Sequence, residues 1–354
     1  MNKLTKVGCS ALCGSLAAIS AANAGELTVT GGADMTWVNY EGITTGNPIG
    51  IGSNYSVKGS GELDNGWTFA LTIANGNLAA YSATTINLDM GALGKLNFNQ
   101  GNSGNGIAAF DDKMPTAWEE TWGTGLSTYV RLPLGSGAST NVMYTTPTLL
   151  GTTMTFTWAP DYGSSDTADK TSAATPLDQN TDSMDATINI NPSFGTEILS
   201  GLNVFAGASQ IRRVETDSAK DDAYEVVGGG TYDIGPISLG VQWSGDYSGV
   251  DDSFLGDADS VVNLYKAVAY GVAFNVNDDL SLSYGKWEAQ KAGFSDSGAV
   301  MANSTQKRLA VTSLQAAYTM GGASFRIADT EAENVAWTNG DNQGATTISI
   351  GLAF

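Results

Sequence analysis

Apolar and polar residues alternate along almost the whole chain. In ELTVTGGADMTW the apolar side chains fall at Leu27, Val29, Ala33, Met35 and Trp37, with Thr28, Thr30, Asp34 and Thr36 between them. The same period of two runs through Trp67, Phe69, Leu71 and Ile73, and through Ile86, Leu88 and Met90 against Asn87 and Asp89. It recurs at Leu96 and Phe98, at Met154, Phe156 and Trp158, at Ile237 to Trp243, at Leu280 to Tyr284, and at Ile348 to Phe354. A two-residue period is the mark of a strand with two unlike faces. No segment carries a 3.6-residue stripe of helical length.

The links between these strands alternate in length. Short turns fall at 64–66, 91–94, 146–151, 233–236, 275–279 and 320–322, several with the Asn-Gly or Gly-Gly pairs that tight hairpins need. Longer polar stretches separate them, near 41–51, 101–140, 159–183, 212–222, 247–260, 288–306 and 331–345, with 75–80 as one short exception on that side. This spacing predicts an up-and-down meander of about sixteen strands with two unlike ends.

A secreted sandwich with a dry core would alternate too. Here the second face is Thr, Ser, Asn, Gly, Asp and Lys, and burying such groups without partners costs about 1–3 kcal/mol each. Lipid is the better apolar partner. Aromatics gather at strand ends (Trp37, Tyr40, Trp67, Trp158, Trp243, Tyr247, Tyr284, Trp287, Phe354), as expected for interfacial girdles. An open sheet would leave its edge groups unpaired in hydrocarbon, so the sheet must close, strand one against strand sixteen. The predicted fold is an all-β transmembrane antiparallel barrel with short periplasmic turns, long extracellular loops and a water-filled lumen.

Composition narrows the chemistry. The 354 residues hold no histidine, and the two cysteines, Cys9 and Cys13, lie near the amino end. Imidazole-dependent catalysis and metal binding are therefore absent, and a thiol nucleophile beyond that end is too. No catalytic residue and no cofactor is expected. Sixteen Lys and Arg against thirty-six Asp and Glu give a charge of −20, which argues against a nucleic-acid partner. Residues 1–24 read as a secretory signal peptide: Lys3 and Lys6, a short apolar core, then Ala22-Asn23-Ala24 before Gly25. Its removal leaves residues 25–354 as the barrel and deepens the charge to −22.

The mature start GELTVTGGADMTW, the segment GALGKLNFNQGNSG before the longest loop and the last strand TTISIGLAF ending on Phe354 resemble Gram-negative general porins, most nearly the sixteen-stranded alphaproteobacterial type. The resemblance implies an outer-membrane homotrimer, in contact with lipid and lipopolysaccharide, passing small hydrophilic solutes by diffusion. It also implies that Phe354 belongs to the carboxyl-terminal signal read by the outer-membrane assembly machinery.

In that family the third long loop folds into the lumen opposite basic wall residues. Here that loop is 101–140, with Asp111, Asp112, Glu119 and Glu120 as candidate constriction carboxylates and Trp118 and Trp122 as candidate solute contacts. Parity sends Lys58, Lys95 and Arg326 inward, with Arg131 on the loop's return; Asp34, Glu62 and Asp89 are the lumen acids. Lys266 and Lys286 share the parity of apolar neighbours and should snorkel at an interface. The acidic clusters Asp251-Asp252 and Asp257 to Asp259 could hold Ca²⁺ loosely, but lack a spaced ligand loop. A weakly cation-preferring diffusion pore is expected; a channel with a solute site at its constriction, and an obstructed adhesive barrel, are the other readings.

Overall fold

The computed structural model describes residues 25–77, 82–101, 104–163, 180–192, 197–213, 221–249, 261–294 and 308–353. Its strands are β1 (Leu27–Glu41), β2 (Ile49–Glu62), β3 (Thr68–Gly76), β4 (Ala83–Asp89), β5 (Lys95–Gln100), β6 (Asn141–Thr145), β7 (Thr152–Ala159) and β8 (Asn180–Ile190). The second half adds β9 (Leu202–Arg213), β10 (Ala223–Ile234), β11 (Ile237–Tyr247), β12 (Val261–Asn275), β13 (Leu280–Phe294), β14 (Leu309–Met320), β15 (Ala323–Glu333) and β16 (Gln343–Ala353). Each strand pairs antiparallel with its neighbours in sequence, and β1 pairs with β16 from Gly32 opposite Ala353 to Glu41 opposite Gly344. The sheet is closed, so no edge is left to hydrocarbon. None of the described helices is long and apolar enough to cross a membrane; this barrel crosses with strands.

Polarity is reversed relative to a soluble protein. Phe156 and Trp243 stand outward, nearly half exposed, whereas Gln242, Gln315, Ser313 and Ser349 are buried inside. Glycines bend the short turns: Gly235 has φ +58° in the two-residue link between β10 and β11, and Gly66 has φ +82° beside the Leu63–Trp67 hydrogen bond. Tight hairpins of this kind need the positive φ that a Cβ disfavours.

The tall strands add a feature the alternation did not predict. On β13 the outward series Leu282 and Tyr284 changes to Lys286 and Glu288, while the inward series Ser283 and Gly285 changes to Trp287 and Ala289. On β15, outward Phe325 and Ile327 give way to exposed Asp329, Glu331 and Glu333. Beyond the hydrocarbon the outer face meets water and the inner face packs on a loop, so the apolar side switches. Two expected girdle residues are corrected by this switch. Trp287 is buried inside at 1% exposure, and Tyr40 packs inward against the same cluster. Lys286 is outward and paired with Glu288 at 2.9 Å, and Lys266 is outward and exposed. Boundaries also move: β13 continues to Phe294, past the expected loop start, and the 334–342 link is shorter than expected.

Candidate functional site

Residues 104–140 of the expected constriction loop lie inside the barrel and follow its inner wall. At the start of the loop the Ile107 N–H donates to Asp185 of β8 (3.0 Å), and Phe110 packs on Phe205 of β9 with ring centroids 5.1 Å apart. Gln242 of β11 then accepts from the Lys113 N–H (3.0 Å) and donates to the Asp111 carbonyl (2.7 Å). Farther round, Ser283 of β13 accepts from the Ala117 N–H (2.8 Å), and Gln315 of β14 accepts from the Trp118 and Glu119 N–H groups (3.1 and 3.0 Å). The return limb is held by Arg131 on Asp246 of β11, by Glu225 of β10 accepting from the Leu134 and Gly135 N–H groups, and again by Asp185, which accepts from the Ser136 N–H.

An apolar cluster fills the space behind this loop. Met114 and Leu126 from the loop meet Ala267, Trp287, Leu309, Val311 and Ala345 from the β12–β16 wall, with Val335 from the 334–342 link. The loop thereby occupies one side of the lumen and leaves the β1–β5 side open. That open side contains a space of about 1090 Å³ beside Thr30, Asp34, Asn54, Ser56, Trp118, Glu119 and Arg326. A second space of about 780 Å³ is lined by Lys58, Glu62, Asp89, Asn87 and Lys95.

On the wall of the first space, Arg326 Nη1 lies 3.0 Å from Asp34 Oδ1, and its guanidinium carbon is 5.7 Å from the Trp118 ring centre. Glu119 senses both charges. Gly351 supplies the recess beneath the pair, since a Cβ there would lie 2.6 Å from Arg326 Nη2. Lys95 is likewise held, 3.1 Å from Asp89.

The four loop carboxylates, two pairs separated in sequence, lie close enough to interact. Burial pushes Asp112 up to about 7, with the Glu120 and Asp111 charges adding and the Met114 N–H opposing. Burial also raises Asp111. Glu119, still partly open to solvent, is pushed up to about 7 by desolvation, then by its hydrogen bond and charge repulsion with Glu120. Proximity of like charges in a partly dry site favours proton uptake.

Asp34, Arg326 and Glu119 are therefore brought together, as are Lys58, Glu62, Asp89 and Lys95, whereas Arg131 is tied to the wall behind the loop. Phe354 and Asp251, Asp252, Asp257 and Asp259 lie outside the described residues, as does the 1–24 segment. Sequence reasoning missed Asp185, Glu225, Asp246, Gln242 and Gln315, which hold the loop. Asp246 and Gln242 were legible, standing at inward parity on β11 between Val241, Trp243 and Tyr247. Glu225, between outward Tyr224 and Val226, and Asp185, between outward Met184 and Ala186, show the same parity, which marks them as inward but not as holders of the loop.

A family model described as Gram-negative porin matches residues 8–320. Comparison with curated protein sequences finds no match. Among solved structures, the chain is similar to Salmonella typhi OmpF in a complex with daunomycin (14% identity, 93% of this chain and 98% of that one, TM-score 0.61). It is also similar to an anion-selective porin from Comamonas acidovorans (13% identity, 93% and 99%, TM-score 0.58) and to the trimer form of Vibrio cholerae OmpT (14% identity, 93% and 99%, TM-score 0.60). At these identities the likeness is one of fold.

Proposed function

The chain belongs to the Gram-negative porin family, an outer-membrane channel by family and fold, and on that premise we propose that it is a general diffusion pore for small hydrophilic solutes and ions with a weak preference for cations. It acts as a conduit and performs no catalysis. One observation carries the sign of the preference: Arg326, Lys95 and Arg131 each sit against a carboxylate, Asp34, Asp89 and Asp246. Wall cations neutralised in this way leave the acidic loop and the overall −20 charge to set the potential, which gathers cations and repels anions. The fold does not dictate this sign, since a neighbour of the same architecture is described as anion-selective.

In this reading Asp111, Asp112, Glu119 and Glu120 are the acidic side of the constriction and Lys58 the basic residue of the open wall. The chain assembles as a homotrimer in contact with lipid and lipopolysaccharide, in line with the trimer form of a neighbour. Purified protein in planar bilayers tests it. Stepwise channels are expected whose cation preference fades between 0.1 and 1 M salt, as the screening length drops from about 10 to about 3 Å. Anion preference refutes the sign, and absence of channels refutes the pore. A second reading, a solute site at the constriction, draws on Trp118 beside Arg326 in the open space; saturating block of the ion current by a solute is its signature.

A further inference from the structure

Three glycines on different strands meet side by side on the inner wall. Gly240 of β11 is the register partner of Gly271 of β12, and Gly271 is the partner of Gly285 of β13. All three have inward parity, and the constriction loop lies directly on them. A Cβ on Gly240 would stand 2.5 Å from Pro115 Cδ and 3.1 Å from Met114 Cε. One on Gly271 would meet Met114 Cβ, Pro115 Cδ and the Pro115 carbonyl oxygen, each at 3.0 Å. One on Gly285 would collide with Thr121 Oγ1 and lie 3.0 Å from Thr121 Cβ.

Two glutamine clamps bracket this bare strip. Gln242 grips residues 111–113 on one side, and Gln315 grips residues 118–119 on the other. Met114 and Pro115, between the clamps, and Thr121, just past the second, are therefore pressed onto the bare strip, with the Ser283 hydroxyl accepting from the Ala117 N–H beside it. The far end of the clamped segment presents Trp118 and Glu119 to Asp34 and Arg326 across the opening.

We propose that the Gly240–Gly271–Gly285 row sets the aperture of the channel, by letting segment 113–121 sink to backbone contact with the wall. Ordinary carbon–carbon contact requires about 3.5–4.0 Å, so an added methyl lifts the segment by about 0.5–1 Å. The lift is directed into the lumen, because the wall behind is a hydrogen-bonded sheet that yields less than a loop does. Trp118 and Glu119 then advance on the opening, and both conductance and the size limit for solutes fall. This inference rests on the reading of the chain as an open channel and adds what fixes its bore.

Single-channel conductance and liposome-swelling rates of G271A and G285A test it, beside G59A. Gly59 shares the outward face of its partners Leu27 and Leu71, and its new methyl meets nothing within 4 Å. G271A and G285A are expected to lose on the order of 10–30% of conductance and to slow the largest permeant solutes most, with G59A unchanged. Adding T121G to G285A removes the colliding atoms and returns conductance to the wild-type value. Should G285A alone not insert, restored insertion and wild-type conductance in G285A/T121G support the seat equally. Wild-type or raised conductance in both single variants, or a double variant that stays as narrow as G285A or does not insert, overturns the proposal. Channels absent from the wild type would instead count against the pore reading itself.

Discussion

Replacing Asp185 by alanine should free both ends of the constriction loop while leaving the barrel standing. Its carboxylate accepts from the Ile107 N–H at 3.0 Å, from the Ser136 N–H at 3.0 and 3.1 Å, and from the Ser136 hydroxyl at 2.9 Å. These donors are buried, with Ile107 and Ser136 at 0% exposure, so water does not replace the lost acceptor in place. Each buried N–H deprived of its partner costs about 1–3 kcal/mol, so the two backbone donors together weaken seating by about 2–6 kcal/mol. A loss of about 3 kcal/mol multiplies the unseated population on the order of 100-fold. The sixteen-stranded ladder does not pass through these bonds, so heat-modifiable migration should match wild type. Hydrogen exchange at the Ile107 and Ser136 amides, read with single-channel current noise, is the assay. Faster exchange and a flickering, wider channel are expected, with D185N intermediate because it keeps one acceptor. Unchanged protection with a quiet wild-type current would refute the role of this carboxylate.

Two further outcomes follow from the site and the wall. Asp112 and Glu119, both near 7 in the folded loop, bind protons there that the unfolded chain releases at its lower, ordinary carboxylate range. Seating should therefore weaken as pH rises from about 4 to 7, and the cation preference should strengthen over pH 5 to 8; reversal potentials that stay flat or move the opposite way would contradict this. On the lipid face, F156R places a cation where Phe156 now stands outward, and folding into liposomes should lose about 2–4 kcal/mol by urea titration against an F156L control. An F156R barrel as stable as the control would mean that this surface does not face hydrocarbon.

Sequence by itself determined the strands, their number, the closure and which face meets lipid. A bilayer is a uniform apolar solvent, so each lipid-facing position states its environment locally, as Leu71, Phe156 and Ile327 do, without knowledge of its partners. Parity was enough to send Lys58, Lys95 and Arg326 inward for the same reason. What only the tertiary structure decided depends on register and on contacts between distant segments. Gly240, Gly271 and Gly285 are unremarked glycines in three separate strands until pairing aligns them beneath Met114, Pro115 and Thr121. Asp34 and Arg326 become a pair only because β16 is threaded between β1 and β15. Trp287 and Tyr40 were misassigned because the apolar side of a tall strand is set by its height above the membrane and by the loop packed inside it, neither of which a period of two encodes.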